Sequence, residues 1–296
     1  MVCCCCEVEG VRVVRRIISE GSVWMNNIVV TGFLLVAWMT IAVAEEPAPA
    51  TIALVIDDVG YLLAPGLRAI ALPGPLAYSV LPHTPYAVSL AEAAHRAGKE
   101  VMLHLPMEPR EGLSLGPGGL LHTMNHLELS QTLRTDLALI PHIRGVNNHM
   151  GSLLTQQSEA MAWVMADIKS HEGLFFIDSR TTAATVALDA AQKAGLSATR
   201  RDLFLDNVSQ PAAIRVQFAR LVALARLQGT ALGIAHPRPA TLQMLEDLLP
   251  RLPALGVRLR PVSETVARRA ANPTLLQRYN PYGPLPGAEG IFDTEK

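Results

Sequence analysis

Beyond the run Cys3–Cys6 the chain has no cysteine, which excludes a disulfide framework and a thiolate metal site from the rest of it. Four adjacent cysteines also lack the geometry to pair with one another. Aromatic residues are scarce at 5%, and two of the three tryptophans, Trp24 and Trp38, fall near the N-terminus. Little obvious stacking surface is left for a long polymeric ligand. Neither sign of charge is in excess: 25 basic against 26 acidic residues give a net charge of -1. No basic excess argues for nucleic acid, and no acidic tract argues for a basic partner. A phosphate-cradling glycine motif is missing as well, which disfavours a phosphohydrolase.

Half of the residues are hydrophobic and 17% are charged, enough apolar surface for a sizeable core and too much for disorder. Ile28–Ala44 (IVVTGFLLVAWMTIAVA) carries no charge, a length at the short limit for a membrane span. Ala42-Val43-Ala44 has the small-x-small form of a signal-peptidase site. The expectation is an exported protein, periplasmic or in the cell envelope, or held in the inner membrane if the segment stays uncleaved. Met25 is an alternative start, although Arg12, Arg15 and Arg16 upstream would supply the positive region that usually precedes such a segment. Residues 1–44 are thus read as an N-terminal extension with a signal peptide or anchor, 45–50 as a linker, 51–270 as the folded domain and 271–296 as a tail without periodicity. The oligomeric state is not readable.

From Thr51 onward apolar runs alternate with helical segments. Strand-like runs are TIALVI (51–56), LAYSVL (76–81), EVMLHL (100–105), GVNN (145–148), LFFID (174–178), a stretch within 197–206, TALGIA (230–235) and VRLRPV (257–262). Between them the sequence predicts helices over 88–97, 129–140, 157–172, 183–194, 211–228 and 240–255. Gly98, Gly173, Gly195 and Gly229 supply several of the stops. Ser263 is the expected cap of a last helix. Continuous apolar runs suit strands buried on both faces, as in a parallel sheet. The predicted class is α/β, a distorted (β/α) barrel of about seven to eight strands.

Six of these runs end in Asp or His: Asp57-Asp58, His104, His149, Asp178, Asp202 and His236. Strand ends of such a barrel converge on one face, so the set suits a metal-assisted hydrolase. Each residue alone has a plainer reading. An Asp after a strand caps a helix or closes a turn, and a His among leucines is commonly a hydrogen-bonded core residue. The combination of Asp, His and His matches the three-ligand pattern of a catalytic zinc site. His236 has a reference pKa suited to proton delivery near neutrality. Asp178 either orients a catalytic group through Arg180 or closes a turn; Asp202 and Asp206 are further candidates, or partners of Arg200 and Arg201. The remaining histidines read as loop or surface residues.

At these residues the chain resembles the divergent polysaccharide deacetylase family, a branch of the NodB-like carbohydrate esterases. The matching pieces are IDDVGY (56–61), SVLPHTPY (79–86), EVMLHLPMEP (100–109), GVNNHMGS (145–152), FFIDSRTT (175–182), RRDLFLDN (200–207) and GIAHPRP (233–239). The resemblance implies a distorted barrel acting on acetylated carbohydrate. It implies Asp57 as general base, Asp58, His104 and His149 as ligands of a divalent metal (zinc by ligand type), His236 as acid and Asp178 in support. One departure stands out: the broad group carries H-x-x-x-H, whereas Glu108 follows His104 here. The second histidine must come from another strand, with Glu108 as a substitute or supporting ligand. A non-catalytic envelope protein that binds glycan or a partner in the same cleft is the alternative expectation.

Overall fold

The computed structural model describes residues 49–276. The N-terminal extension, residues 45–48 of the linker and the tail beyond 276 lie outside the described residues. The strands are β1 (Ala50–Val59), β2 (Ala77–Val80), β3 (Glu100–Met107), β4 (Ile143–Met150), β5 (Phe175–Asp178), β6 (Ala198–Arg200), β7 (Leu203–Phe204), β8 (Thr230–Ala235) and β9 (Val257–Leu259). The helices are α1 (Leu63–Ile70), α2 (Ala87–Arg96), α3 (His126–Leu139), α4 (Ser158–Ser170), α5 (Ala187–Lys193), α6 (Pro211–Gln228), α7 (Pro239–Leu248) and α8 (Val262–Ala271).

All the paired strands are parallel, in the order β6-β5-β4-β3-β2-β1-β8-β7, with β9 against the first residues of β1. The two edge strands are successive parts of one segment. It leaves β5 through the Arg201 N–H to Asp178 O bond and joins β8 through Asp202 N–H to Leu232 O. This crossing strand closes the sheet into the expected distorted barrel, and every strand points its C-terminal end to one mouth. Alternation then sorts side chains. Ile52, Leu54 and Ile56 of β1 pack outward under the helices, whereas Ala53 and Val55 face inward with Ala77, Met102, Phe175, Ile177, Leu232 and Ile234.

Helix α8 plugs the opposite end. Its Val262 and Val266 join the interior cluster. Its leading N–H groups donate to Glu100 at the start of β3, Val262 N at 2.7 Å and Ser263 N at 3.2 Å. The expected Ser263 cap is therefore corrected: Ser263 lies inside the helix, and a carboxylate distant in sequence serves its first turn. Arg269 of α8 is fully buried; it donates to Asp202 Oδ2 at 2.5 Å, Arg200 O at 3.2 Å and Thr230 O at 3.3 Å, tying the crossing strand to β8. Removing one partner of a buried pair strands the other, so Arg269→Met should cost about 3–5 kcal/mol. Urea unfolding checks this, and a midpoint equal to wild type contradicts it.

Helix α1 is additional to the helices expected from the sequence, and it contains Pro65 and Gly66. Pro65 falls in the first turn, where its missing N–H costs nothing. At Gly66 any Cβ would come within 2.5 Å of Leu90 Cδ1 on α2. Both residues thus serve the helix and its packing.

Candidate functional site

Adjacent residues of a regular strand face opposite ways, which would separate Asp57 from Asp58. A bulge prevents this. Ile56 pairs with Tyr78 but Val59 pairs with Val80, so β1 carries one residue more than β2. Asp58 absorbs it at φ 56, in the left-handed region that Asp tolerates. Both carboxylates consequently reach one cluster: His104 Nε2 lies 3.7 Å from Asp57 Oδ2 and 3.2 Å from Asp58 Oδ1.

His104 on β3 stands opposite Asn147 on β4, and His149 follows two residues later on the same inward face. His104 Nε2 is 3.1 Å from His149 Nδ1, which is 3.0 Å from Asp58 Oδ1. These three atoms, from three strand ends, form a nearly equilateral triangle. Asp58 Oδ1 is closed off from solvent and accepts no well-aligned hydrogen bond. A tetrahedral ion with bonds of ~2.0–2.1 Å separates its ligand atoms by ~3.3 Å. The sides of the triangle, 3.0–3.2 Å, are close to that spacing, so these three atoms could hold such an ion.

Asn147 fixes how these groups present themselves. Its Nδ2 donates to Asp57 Oδ1 at 2.9 Å and to Ser179 Oγ at 3.1 Å. The carboxylate only accepts, so the amide oxygen must face the other way, where Ser79 Oγ donates to it. His104 Nδ1 sits 2.9 Å from that oxygen and must carry the proton. In the neutral ring His104 Nε2 then keeps its lone pair, and that atom is the one in the triangle. One buried side chain thereby orients Asp57 and sets the tautomer of His104.

The electrostatics favour a cation. Burial disfavours a charged His104, yet Asp57 and Asp58 outweigh it and push the imidazole up to about 9. Burial also acts to raise Asp58, but His104 and His149 hold its carboxyl far below the usual range. Asp57 is raised by burial, against the pull of His104 and His236.

His236 follows β8. Its Nδ1 lies 2.8 Å from Asp206 Oδ1, its backbone N–H donates to Asp206 Oδ2 at 2.9 Å, and Thr241 holds that same oxygen at 2.8 Å. His236 Nε2 is thus turned toward the cluster, 3.8 Å from Asp58 Oδ2. Burial lowers the proton affinity of His236, but Asp206 more than restores it, so the ring holds its proton above its ordinary value. Phe204 stacks on the ring at 6.0 Å, with the Arg201 guanidinium 3.7 Å over Phe204.

The structure thus brings Asp57, Asp58, His104, His149 and His236 together, with Asp206, one of the further candidates, behind His236, and adds Asn147. It does not bring Asp178. Ile177 and Ser179 face the interior; Asp178 instead accepts from Arg180 N at 2.8 Å and Thr185 Oγ1 at 3.0 Å, closing the turn after β5. The supporting role expected of Asp178 is corrected accordingly. Glu108 is engaged elsewhere, accepting from His122 N at 2.7 Å with His122 Nδ1 also at 2.7 Å. Asp202 pairs with Arg269, away from the cluster. Nor are the other histidines all loosely placed: His83 is 2.8 Å from the buried Asp136, and His95 stacks on His142 at 3.7 Å.

The chain is similar to known proteins over most of the described residues. An uncharacterized protein of Escherichia coli, YibQ, is 37% identical over 213 residues, 72% of this chain and 66% of the relative; the match thus spans just under two thirds of that protein. An uncharacterized protein of Haemophilus influenzae is 34% identical over 206 residues, covering 70% of this chain and 73% of its own. The crystal structure of uncharacterized protein ATU2773 from Agrobacterium tumefaciens shares the fold, with a TM-score of 0.71 at 24% identity over 74% of this chain and 90% of that one. The divergent polysaccharide deacetylase profile matches residues 54–266, a span that includes every residue of the cluster, and the chain belongs to that family.

Proposed function

We propose that the protein is an exported, metal-dependent hydrolase that removes acetyl groups from an envelope polysaccharide or a related acetylated sugar. The observation that carries this reading is the Asp58–His104–His149 triangle, with sides of 3.0–3.2 Å, flanked by Asp57 and His236. Two imidazoles and one carboxylate suit zinc better than magnesium or calcium, which favour all-oxygen shells. The charge-free segment 28–44 supports export to the periplasm or cell envelope, with anchorage in the inner membrane if it is retained.

Asp58 Oδ1, His104 Nε2 and His149 Nδ1 would hold the ion. When bound, such an ion supplies Lewis acidity toward the acetyl carbonyl and makes water a better nucleophile near neutral pH. Asp57, oriented by Asn147, takes the proton from the attacking water at its carboxylate. His236, held by Asp206 with its proton available at Nε2, delivers a proton to the departing nitrogen or oxygen. Acetate and the deacetylated sugar leave. A binding-only cleft needs neither the oriented carboxylate nor the carboxylate-backed imidazole.

Asn147→Ala should weaken zinc binding about 10–100-fold by freeing His104 Nδ1; calorimetric titration reads the change, and an unaltered affinity contradicts the role given to the amide. The function itself is tested by acetate release from acetylated chitooligosaccharide and peptidoglycan. Release that needs stoichiometric metal is expected. Full metal occupancy with no release across a panel of acetylated sugars returns the protein to a glycan-binding role.

A further inference from the structure

The barrel has two unlike ends. The mouth carries the carboxylate–histidine cluster. The base, where the strands begin, carries cations. Arg144 is the second residue of β4 and Arg258 the second of β9. Lys169 and Lys193 lie in the last turns of α4 and α5, just ahead of β5 and β6. Arg268, in the last turn of α8, approaches Gly229 ahead of β8. All five residues are exposed, and none has an ion-pair partner among the described residues. Of the carboxylates at this end, Glu92, Glu100, Asp247 and Glu264 are engaged by His142, the α8 N–H groups, Arg251 and Arg260. Asp167 and Glu172 have no such partner, so unpaired cations outnumber unpaired carboxylates on this face.

Helix C-termini favour cations, which accounts for Lys169, Lys193 and Arg268. It gives no reason for Arg144 and Arg258, which stand on strands. The five are spread around the base, from β6 across to β9 beside β1, rather than gathered at one helix. The chain also enters the barrel here: Ala50 opens β1 opposite Val257. Upstream lies the charge-free segment 28–44, and the residues between, 45–49, span at most about 18 Å even when fully extended. The base is therefore the end that a bilayer holding this segment would meet. We propose that the base docks on an anionic phospholipid bilayer through Arg144, Lys169, Lys193, Arg258 and Arg268, so that the mouth opens away from the membrane. This rests on the export proposed above.

Amine labelling reads this face directly, because the lysines among the described residues, Lys99, Lys169 and Lys193, all lie at the base. Lys99 is held by the Leu72 and Gly74 carbonyls, so Lys169 and Lys193 are the reporters. The full chain is placed in lipid nanodiscs, modified with a succinimidyl ester in 0.1 M salt and digested for mass spectrometry. Lys169 and Lys193 should react at least about fivefold more slowly on phosphatidylglycerol-containing discs than on phosphatidylcholine discs, the factor that one cation at an anionic surface is worth. Salt at 1 M should remove the difference, and Arg144→Gln with Arg258→Gln should remove most of it. Equal labelling on the two lipids overturns the dock, as does protection that survives 1 M salt or the double variant. Protection by added polyglutamate on phosphatidylcholine discs, with none from phosphatidylglycerol, assigns the face to an acidic polymer and also overturns it. Fractionation of cells making the full chain reads export separately. Recovery from the cytosol alone sinks export and the dock with it; recovery from the membrane with equal labelling sinks the dock and leaves export standing.

Discussion

Asp58→Asn should yield a folded protein that retains no zinc and releases acetate about 10²–10³-fold more slowly than wild type, the several kcal/mol a Lewis acid contributes to such a transition state. Asparagine is the informative choice because it tolerates the left-handed backbone at φ 56 that alanine would strain. It removes charge and a ligand oxygen but not the bulge that presents them. The response of stability to zinc separates a metal ligand from a merely structural role. In wild type without metal, His104 and His149 hold the Asp58 carboxyl far below the usual range, so the substitution should lower stability in chelator at neutral pH. Added zinc should raise the melting temperature of wild type by mass action and leave Asp58→Asn where it was. A variant that melts higher with zinc, or keeps wild-type turnover, would show that the triangle is not the metal site.

The second large effect is expected at His236. His236→Asn should lower the maximal rate about 10²–10⁴-fold by removing the proton donor, with little change in metal content. Asp206→Asn keeps the ring and tests the partner. Asp206 lifts the proton affinity of His236, so a reaction needing protonated His236 loses rate as pH rises through that raised value. Without the carboxylate the raised value falls, and the alkaline limb of the pH–rate profile should move to lower pH. Stability follows from the same two shifts. The raised His236 contributes below its unfolded value of about 6.5, and this is lost as pH climbs through the folded one. Asp206, held below its ordinary value by His236, contributes above about 3.9 and loses this as pH falls. The destabilisation of Asp206→Asn should therefore be largest between about pH 4 and 6.5. An alkaline limb that stays in place would sever His236 from the reaction.

Sequence periodicity carried the barrel because its strands are buried on both faces and its helices end at glycines; α6 runs from Pro211 to Gln228, the bounds its Pro and Gly imply. The same two-sided burial hid side-chain direction. In Phe175-Phe176-Ile177-Asp178 every residue before the aspartate is apolar, so no alternation says which face Asp178 takes, and it takes the outer one. Asp57-Asp58 posed the opposite problem. Two neighbours on one face require a bulge, which depends on the pairing partner β2 and leaves no local sequence mark. Asn147 lies in the strand-like run GVNN as one of several polar residues near His149, and its contacts with Asp57 and His104 depend on β1 and β3 lying near β4 in the sheet. Asp206 sits thirty residues before His236, and only the adjacency of the crossing strand and β8 joins them. Strand ends could be read along the chain; the contacts between them are long-range and could not.

The central claim is most directly tested by anomalous scattering at the zinc edge from crystals grown with zinc. One strong peak within bonding distance of Asp58 Oδ1, His104 Nε2 and His149 Nδ1 is the predicted result. A peak at other residues, or zinc-soaked crystals in which these three side chains keep their mutual contacts around no scatterer, would contradict it.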